Sequence, residues 1–255
     1  MRIKITCDIG EGIRLPINYN YFLTGVIYRF LKESDPKYAD FLHQDGYELE
    51  NRRFKLFTFS QLMAKRREIQ GDQICFRSPL TWYVSSSQEP FLENFAAALL
   101  QTGILQIEGH RLQVQDVEVL RQPRFGPQIT FRCLSPITMS TKRERGDQLV
   151  AHYCLPDDPQ FSELVRQNLI RKYEAVYRHP SQEKSFAMTF DQTYIDKRKG
   201  RVTRLVDYKG TKIRGVVSPF HVIGAPELIH IGYECGFGDK NSMGFGMVEV
   251  LRKGR

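Results

Sequence analysis

Nothing in this 255-residue sequence is apolar for the ~18 residues that a membrane-crossing helix needs, so no membrane association is expected. The opening "MRIKITCDIG" alternates polar and apolar residues, the pattern of a strand and not of a signal peptide. Cysteine is sparse: Cys7, Cys75, Cys133, Cys154 and Cys235 are odd in number, widely spaced and form no C-x-x-C. That speaks against a disulfide framework or a zinc ribbon and for the reducing cytoplasm. None of the six histidines stands four residues from another. A metal site therefore has no support in the sequence, and no cofactor is expected.

Nucleotide-binding glycine motifs are also missing. The densest glycine cluster, "GFGDKNSMGFG" from Gly236 to Gly246, lacks the Gly-Lys-Ser/Thr of a P-loop, because Lys240 is followed by Asn241. It also lacks the third glycine of a dinucleotide fingerprint, where Asn241 stands. What the sequence does have is charge of one sign in one place. The formal net charge is +8. Residues up to 122 carry 15 Lys+Arg and 15 Asp+Glu, and the remainder carries 22 against 14. An excess confined to one half suggests a polyanion held mainly by that half.

Hydrophobic patterning gives an α+β reading. Arg2–Ile9 alternates as a half-buried strand. Tyr21–Ser34 carries the helical stripe Phe22, Leu23, Val26, Ile27, Phe30 and Leu31. Pro36 opens a short helix over Pro36–His43, capped by Ser34 or Asp35. Phe54–Ser60 and Ile74–Ser86 read as strands, Pro90–Thr102 as a helix and Arg111–Leu120 as a strand. The order β-α-β-β-α-β is the ferredoxin-like unit. A second, less regular copy follows: strand Gln128–Ser140, helix Pro159–Tyr177 capped by Asp158, strands Ser185–Ile195 and Lys212–Ile223, helix Ala225–Cys235 and strand Met247–Arg252. The expectation is two tandem ferredoxin-like (RRM-like) domains with antiparallel sheets, residues 1–122 and 123–255.

The strongest candidates for gripping a phosphate backbone are Lys197, Arg198, Lys199, Arg201 and Arg204, then Lys209, Lys212 and Arg214. Lys212 and Arg214 alternate onto one strand face. In the glycine cluster, Gly236, Gly238, Gly244 and Gly246 would expose backbone N–H groups as an anion nest, with Lys240, Asn241 and Ser242 adding polar contacts.

The motif "GYECGFGDKNSMGFGMV" resembles the glycine-rich signature of the RAMP superfamily. The N-terminal "YNYFLTGVIYRFL…YADFLHQ…KLFTFSQLMAKRRE" is similar to the CRISPR-associated endoribonucleases that cut precursor CRISPR RNA within its repeats. The resemblance spans nearly the whole chain. It implies two tandem ferredoxin-like domains and metal-independent cleavage leaving a 2′,3′-cyclic phosphate and a 5′-hydroxyl. The implied partner is CRISPR repeat RNA, single-stranded or weakly structured. Subunits of a CRISPR effector complex are further candidate partners, and the chain would act as a monomer or homodimer. The family's tyrosine, histidine and lysine fall on Tyr28, His43 and Lys55. Because "QDGYELENRRF" is longer than in close relatives, Arg52 or Arg53 remains an alternative to Lys55. The rival reading is a non-catalytic RAMP subunit that binds guide RNA. A general protein with two RRM-like domains lacks its aromatic signature here.

Such chemistry needs a base for the 2′-OH, an acid for the leaving 5′-oxygen and a cation for the phosphate. With a reference pKa near ~10, Tyr28 suits orientation or hydrogen bonding better than proton removal. His43, in the last turn of its helix, suits either proton role. Lys55 suits the phosphate charge. Which residue is base and which is acid stays open.

Overall fold

The computed structural model describes residues 1–145 and 148–251. Two antiparallel sheets repeat one topology. In the first, strands lie in the order Phe57–Phe59, Leu80–Ser86, Arg2–Asp8, His110–Val119, with Ile104–Ile107 added at the edge. In the second the order is Phe186–Phe190, Phe220–Gly224, Gln128–Cys133, Val248–Val250. Each is the second, third, first and fourth strand of a β-α-β-β-α-β unit, so the duplicated α+β fold is present. Alternation explains the inward faces: Ile3, Ile5 and Cys7 are buried on the first strand, and Phe131 on its counterpart.

Helices cover one face of each sheet. Helix α1, Asn20–Ser34, buries Leu23, Val26, Ile27, Phe30 and Leu31. Helix α2, Pro36–Gln44, begins where the Asp35 carboxylate accepts the Tyr38 amide at 3.0 Å, which selects Asp35 over Ser34 as its cap. Helix α3, Glu89–Thr102, stops at Gly103 with φ +61°, and helix α4 spans Phe161–Tyr177. Each buried aliphatic or phenyl side chain contributes roughly 1.5–3 kcal/mol, so these stripes dominate cohesion. Among the described residues, no helix is long and apolar enough to cross a membrane.

Several expected elements are broken, each for a local reason. Phe54–Ser60 is not one strand: Leu56 adopts φ +55°, and Lys55 lies between strands Arg52–Phe54 and Phe57–Phe59. Ile74–Ser86 divides at Pro79 into Gln73–Phe76 and Leu80–Ser86, which join different sheets. Gln128–Ser140 ends at Cys133, and Ser140–Arg145 instead pairs with Gln148–Tyr153. Ser185–Ile195 keeps only Phe186–Phe190, because Asp191 caps a short helix, Gln192–Lys197. Lys212–Ile223 is cut at Pro219: Thr211–Val216 forms a hairpin with Thr203–Tyr208, and Phe220–Gly224 enters the second sheet. The helix expected from Pro159 starts at Phe161, with Asp158 holding the Gln160 amide one turn earlier. The last strand is Val248–Val250; Arg252 lies outside the described residues.

The two sheets are joined by a wedge. The chain from Gly236 to Met247 enters between them. Thr58 Oγ1 donates to the Phe245 carbonyl at 2.9 Å, and Asn20 Nδ2 donates to the Met243 and Gly244 carbonyls at 3.0 and 3.2 Å. Arg2, expected on the polar face of its strand, is buried; its guanidinium donates to the carbonyls of Val248 and Tyr233, both at 2.6 Å, and covers the Tyr233 ring. Gly244 sits at φ +82°, where a Cβ would stand 2.5 Å from the Phe59 ring and 2.7 Å from Asn20 Nδ2. Gly244→Ala should therefore lower stability by roughly 1–3 kcal/mol through overpacking and backbone strain. Urea unfolding monitored by far-UV dichroism measures the loss.

Candidate active site

Three elements bring Tyr28, His43 and Lys55 together. Tyr28, on α1, is half-buried with its ring edge-on to Phe57 at 6.1 Å. Its other neighbour is His43, whose ring lies 5.3 Å away at an interplanar angle of 83°. His43 is exposed in the last turn of α2. Lys55 is half-buried, and its ammonium donates to the His43 carbonyl at 2.8 Å.

Gly46 makes that return possible. At φ +68° it ends the turn after α2, and a Cβ there would stand 2.6 Å from the Phe54 carbonyl oxygen and 3.1 Å from the Lys55 Cδ. The residues between His43 and Lys55 then fold as a hairpin, Tyr47–Leu49 against Arg52–Phe54, which returns the chain to the end of α2. Arg53 reaches the Gln44 carbonyl at 3.3 Å, one residue away from where Lys55 attaches. Burial raises the Tyr28 phenol above its ordinary value, so it stays protonated and can only donate or accept a hydrogen bond. Burial, and then the nearby Arg53, lower Lys55 from the ordinary lysine value.

Beside Lys55 opens a cleft of about 270 Å³, bordered by Arg52, Arg53 and Lys55 on one side and by Asp239, Lys240 and Ser242 on the other. The glycine cluster thus reaches the candidate site, but not as an open anion nest. Gly236, Gly238, Gly244 and Gly246 are buried, and a Cβ on any of them would meet protein at 2.1–2.5 Å. Amides of the cluster already have partners: Gly236 donates to Gly232, Phe237 to Gly246, Gly244 to Asn241 and Gly246 to Pro136. The bare backbone serves the packing of one sheet unit on the other. Asn241 is also engaged internally, donating to the carbonyls of Phe237 and Phe245. Lys240 and Ser242 keep part of their surface open.

The centre of this cluster is a residue that sequence patterning did not single out. Lys172 of α4 is 3% exposed, and its ammonium donates to the Gly236 carbonyl at 2.7 Å, the Gly238 carbonyl at 2.8 Å and Asn241 Oδ1 at 2.7 Å. Three acceptors match the three hydrogens of an ammonium. The available signal was its place on the inward stripe of α4, with Phe161, Val165, Asn168 and Leu169. Asn20 and Thr24 of α1 were missed as well; Thr24 Oγ1 donates to the Ser242 carbonyl at 3.2 Å.

The basic segment lies apart from the cleft. Lys197, Arg198, Lys199 and Arg201 are exposed around the end of the short helix, and none is paired with a carboxylate among the described residues. Lys212 and Arg214 are exposed on one face of the 203–216 hairpin, while Val206 and Ile213 face inward onto Phe245. Asp207 lies directly opposite Lys212, which reduces the local charge. Arg204 points back to Gln61 at 3.3 Å, and Lys209 lies over the Tyr21 ring at 4.1 Å.

Comparison with known proteins agrees across the chain. Residues 14–118 match the family "CRISPR-associated protein Cas6, N-terminal", and residues 120–250 match "CRISPR associated protein Cas6, C-terminal". The sequence is 34% identical to "CRISPR-associated endoribonuclease Cas6 1" of Methanocaldococcus jannaschii, over 97% of this chain and 92% of that protein. It is 31% identical to "CRISPR-associated endoribonuclease Cas6" of Pyrococcus furiosus, over 95% and 86%. Among solved structures, one titled "CRISPR associated protein Cas6" superposes with a TM-score of 0.79 at 32% identity, covering 99% of both chains. Another, "An RAMP protein binding different RNA substrates", gives 0.82 at 26% identity over 99% and 100%.

Lys172 generates a prediction on pH. Burial pushes it down to about 8 from an ordinary 10.5. The unfolded chain therefore holds this proton more tightly, and losing it favours the folded state. The contribution of Lys172 to stability should rise between pH 8 and 10.5. Relative to Lys172→Met, wild type should gain on the order of 1–2 kcal/mol between about pH 7 and 9.5. Parallel urea titrations of both proteins at the two pH values measure the difference.

Proposed function

The chain belongs to the Cas6 family, and on that premise we propose that it is an endoribonuclease that cuts precursor CRISPR RNA within its repeats, by a metal-independent route, to release guide RNAs. The convergence of Tyr28, His43 and Lys55 at one end of α2 supports this reading over that of a non-catalytic guide-binding subunit. A base takes the proton from a 2′-OH, and that oxygen attacks the neighbouring phosphorus. The bond from phosphorus to the 5′-oxygen breaks, and an acid protonates the leaving oxygen. The products are a 2′,3′-cyclic phosphate and a 5′-hydroxyl.

In this scheme His43, exposed at the end of its helix, carries a proton role. Lys55, directed to the same helix end, offsets the charge on the phosphate, and the protonated Tyr28 phenol orients the reacting group. Residues 1–122 form the catalytic domain, and residues 123–255 the domain whose cations hold the RNA. Lys197, Arg198, Lys199, Arg201, Lys212 and Arg214 supply phosphate contacts away from the cleft. Lys240 and Ser242 supply contacts at its rim.

Labelled repeat RNA incubated in EDTA should be cut, and a 2′-deoxy substitution just 5′ of the scissile phosphate should abolish cutting. His43→Ala should lower the single-turnover rate by about 10²–10⁴-fold with little change in affinity by filter binding. Failure of wild type to cut, with tight binding retained, would favour the guide-binding subunit. Lys212→Ala combined with Arg214→Ala should flatten the plot of log affinity against log salt by about 0.7 for each phosphate no longer neutralised.

A further inference from the structure

Helix α1 carries a glycine in its interior that packing does not explain. Gly25 is exposed, has ordinary helical geometry, and apart from its own turns nothing lies within 4 Å of the place a Cβ would occupy. Glycine at such a position weakens a helix relative to alanine. The tightly placed glycines of this protein, such as Gly46 and Gly244, meet neighbouring atoms at 2.5–2.6 Å. Gly25 is bare toward solvent alone.

Its surroundings show what the open space adjoins. Tyr21 and Tyr28 stand one turn before and one turn after it on the same face, about 10 Å apart along the axis. Tyr21 is 39% exposed, with Tyr208 edge-on at 5.7 Å and the Lys209 ammonium 4.1 Å from its ring centroid. Tyr28 leads to His43. Thr24, the preceding residue, is bonded to Ser242, which borders the cleft beside Lys55. The result is a saddle: bare helix backbone between two aromatic walls, with a cation over one wall and the candidate catalytic pair at the other.

We propose that this saddle seats the nucleotide adjoining the scissile phosphate. Gly25 admits its ribose to contact with the helix backbone, and Tyr21 stacks on its base, which the nearby Lys209 charge reinforces by attracting the phosphate. Gly25 and Tyr21 are positioning residues: they fix where the strand lies relative to Tyr28 and His43, and take no part in proton transfer. The proposal rests on the endoribonuclease reading above.

The test uses the full chain and labelled repeat RNA in EDTA. Gly25→Ala and Gly25→Leu should raise Tm, alanine by about 2–4 °C, because both improve the helix. Gly25→Leu should nevertheless slow single-turnover cleavage by at least about 10-fold, and Gly25→Ala by less, in order of side-chain size. Tyr21→Ala should slow cleavage of the natural repeat, and its effect should vanish on repeats made abasic at the nucleotide beside the cut. A folded Gly25→Leu protein that cuts at the wild-type rate overturns the proposal, as does a Tyr21→Ala defect that persists unchanged on the abasic substrate. Wild type that cuts nothing sinks the endoribonuclease reading instead, so the two failures are distinguishable.

Discussion

A single ammonium group shapes the loop on which the two halves meet. Lys172 is carried into the interior by α4 and bonded to two carbonyls and one amide oxygen of the glycine cluster. Removing a charge from water is costly, and only a full set of acceptors offsets that cost. The loop is curled so that its carbonyls converge, and the curl requires residues with left-handed or otherwise unusual backbone angles: Gly236, Gly238, Gly244 and Gly246 all have φ between +76° and +89°. Lysine and glycines are thus one device. The device aims the outer edge of the loop, Lys240 and Ser242, at the cleft beside Lys55.

The candidate site depends on that arrangement indirectly. Its three side chains come from the first sheet unit and its helices, and their mutual placement is set by Asp35, Gly46 and the 47–54 hairpin. The opposite wall of the cleft comes from the second unit. Neither unit alone encloses the space. The wedge between them, fastened by Thr58 and Asn20, is therefore part of the geometry of the site as well as of stability.

Much of this was legible in the sequence where periodicity carries the information. The stripe of α1, the alternation of Arg2–Ile9 and the order of the elements point to the duplicated fold, since those patterns follow from burial of one face. The proximity of Tyr28, His43 and Lys55 came through resemblance, because no local pattern links a helix, a helix end and a loop. Breaks at Pro79 and Pro219 were readable in principle, as proline interrupts a ladder. The purpose of the glycines is not legible in the sequence, for a physical reason. A glycine that admits a ligand and one that admits a neighbouring chain look identical in sequence, and only the tertiary partner separates them. Lys172 was hidden likewise, since a cation on an inward stripe is read as an edge until its acceptors are seen, and Arg2 because a cation on the polar face of a strand is read as solvated until the other unit covers it.

The buried Arg2 has a consequence for how the molecule comes into being. Its acceptors, the carbonyls of Tyr233 and Val248, lie 231 and 246 residues further along the chain. The first strand is made long before those acceptors, so its guanidinium has no permanent partners until Val248 has left the ribosome. The first sheet can assemble earlier, with that charge still hydrated at its surface. Docking then removes the water from that cation as its two carbonyl acceptors arrive. Closure of the cleft in this sense follows assembly of the first sheet unit, and a chain that holds all three candidate catalytic side chains but not residues 239–242 lacks the wall that would confine its substrate.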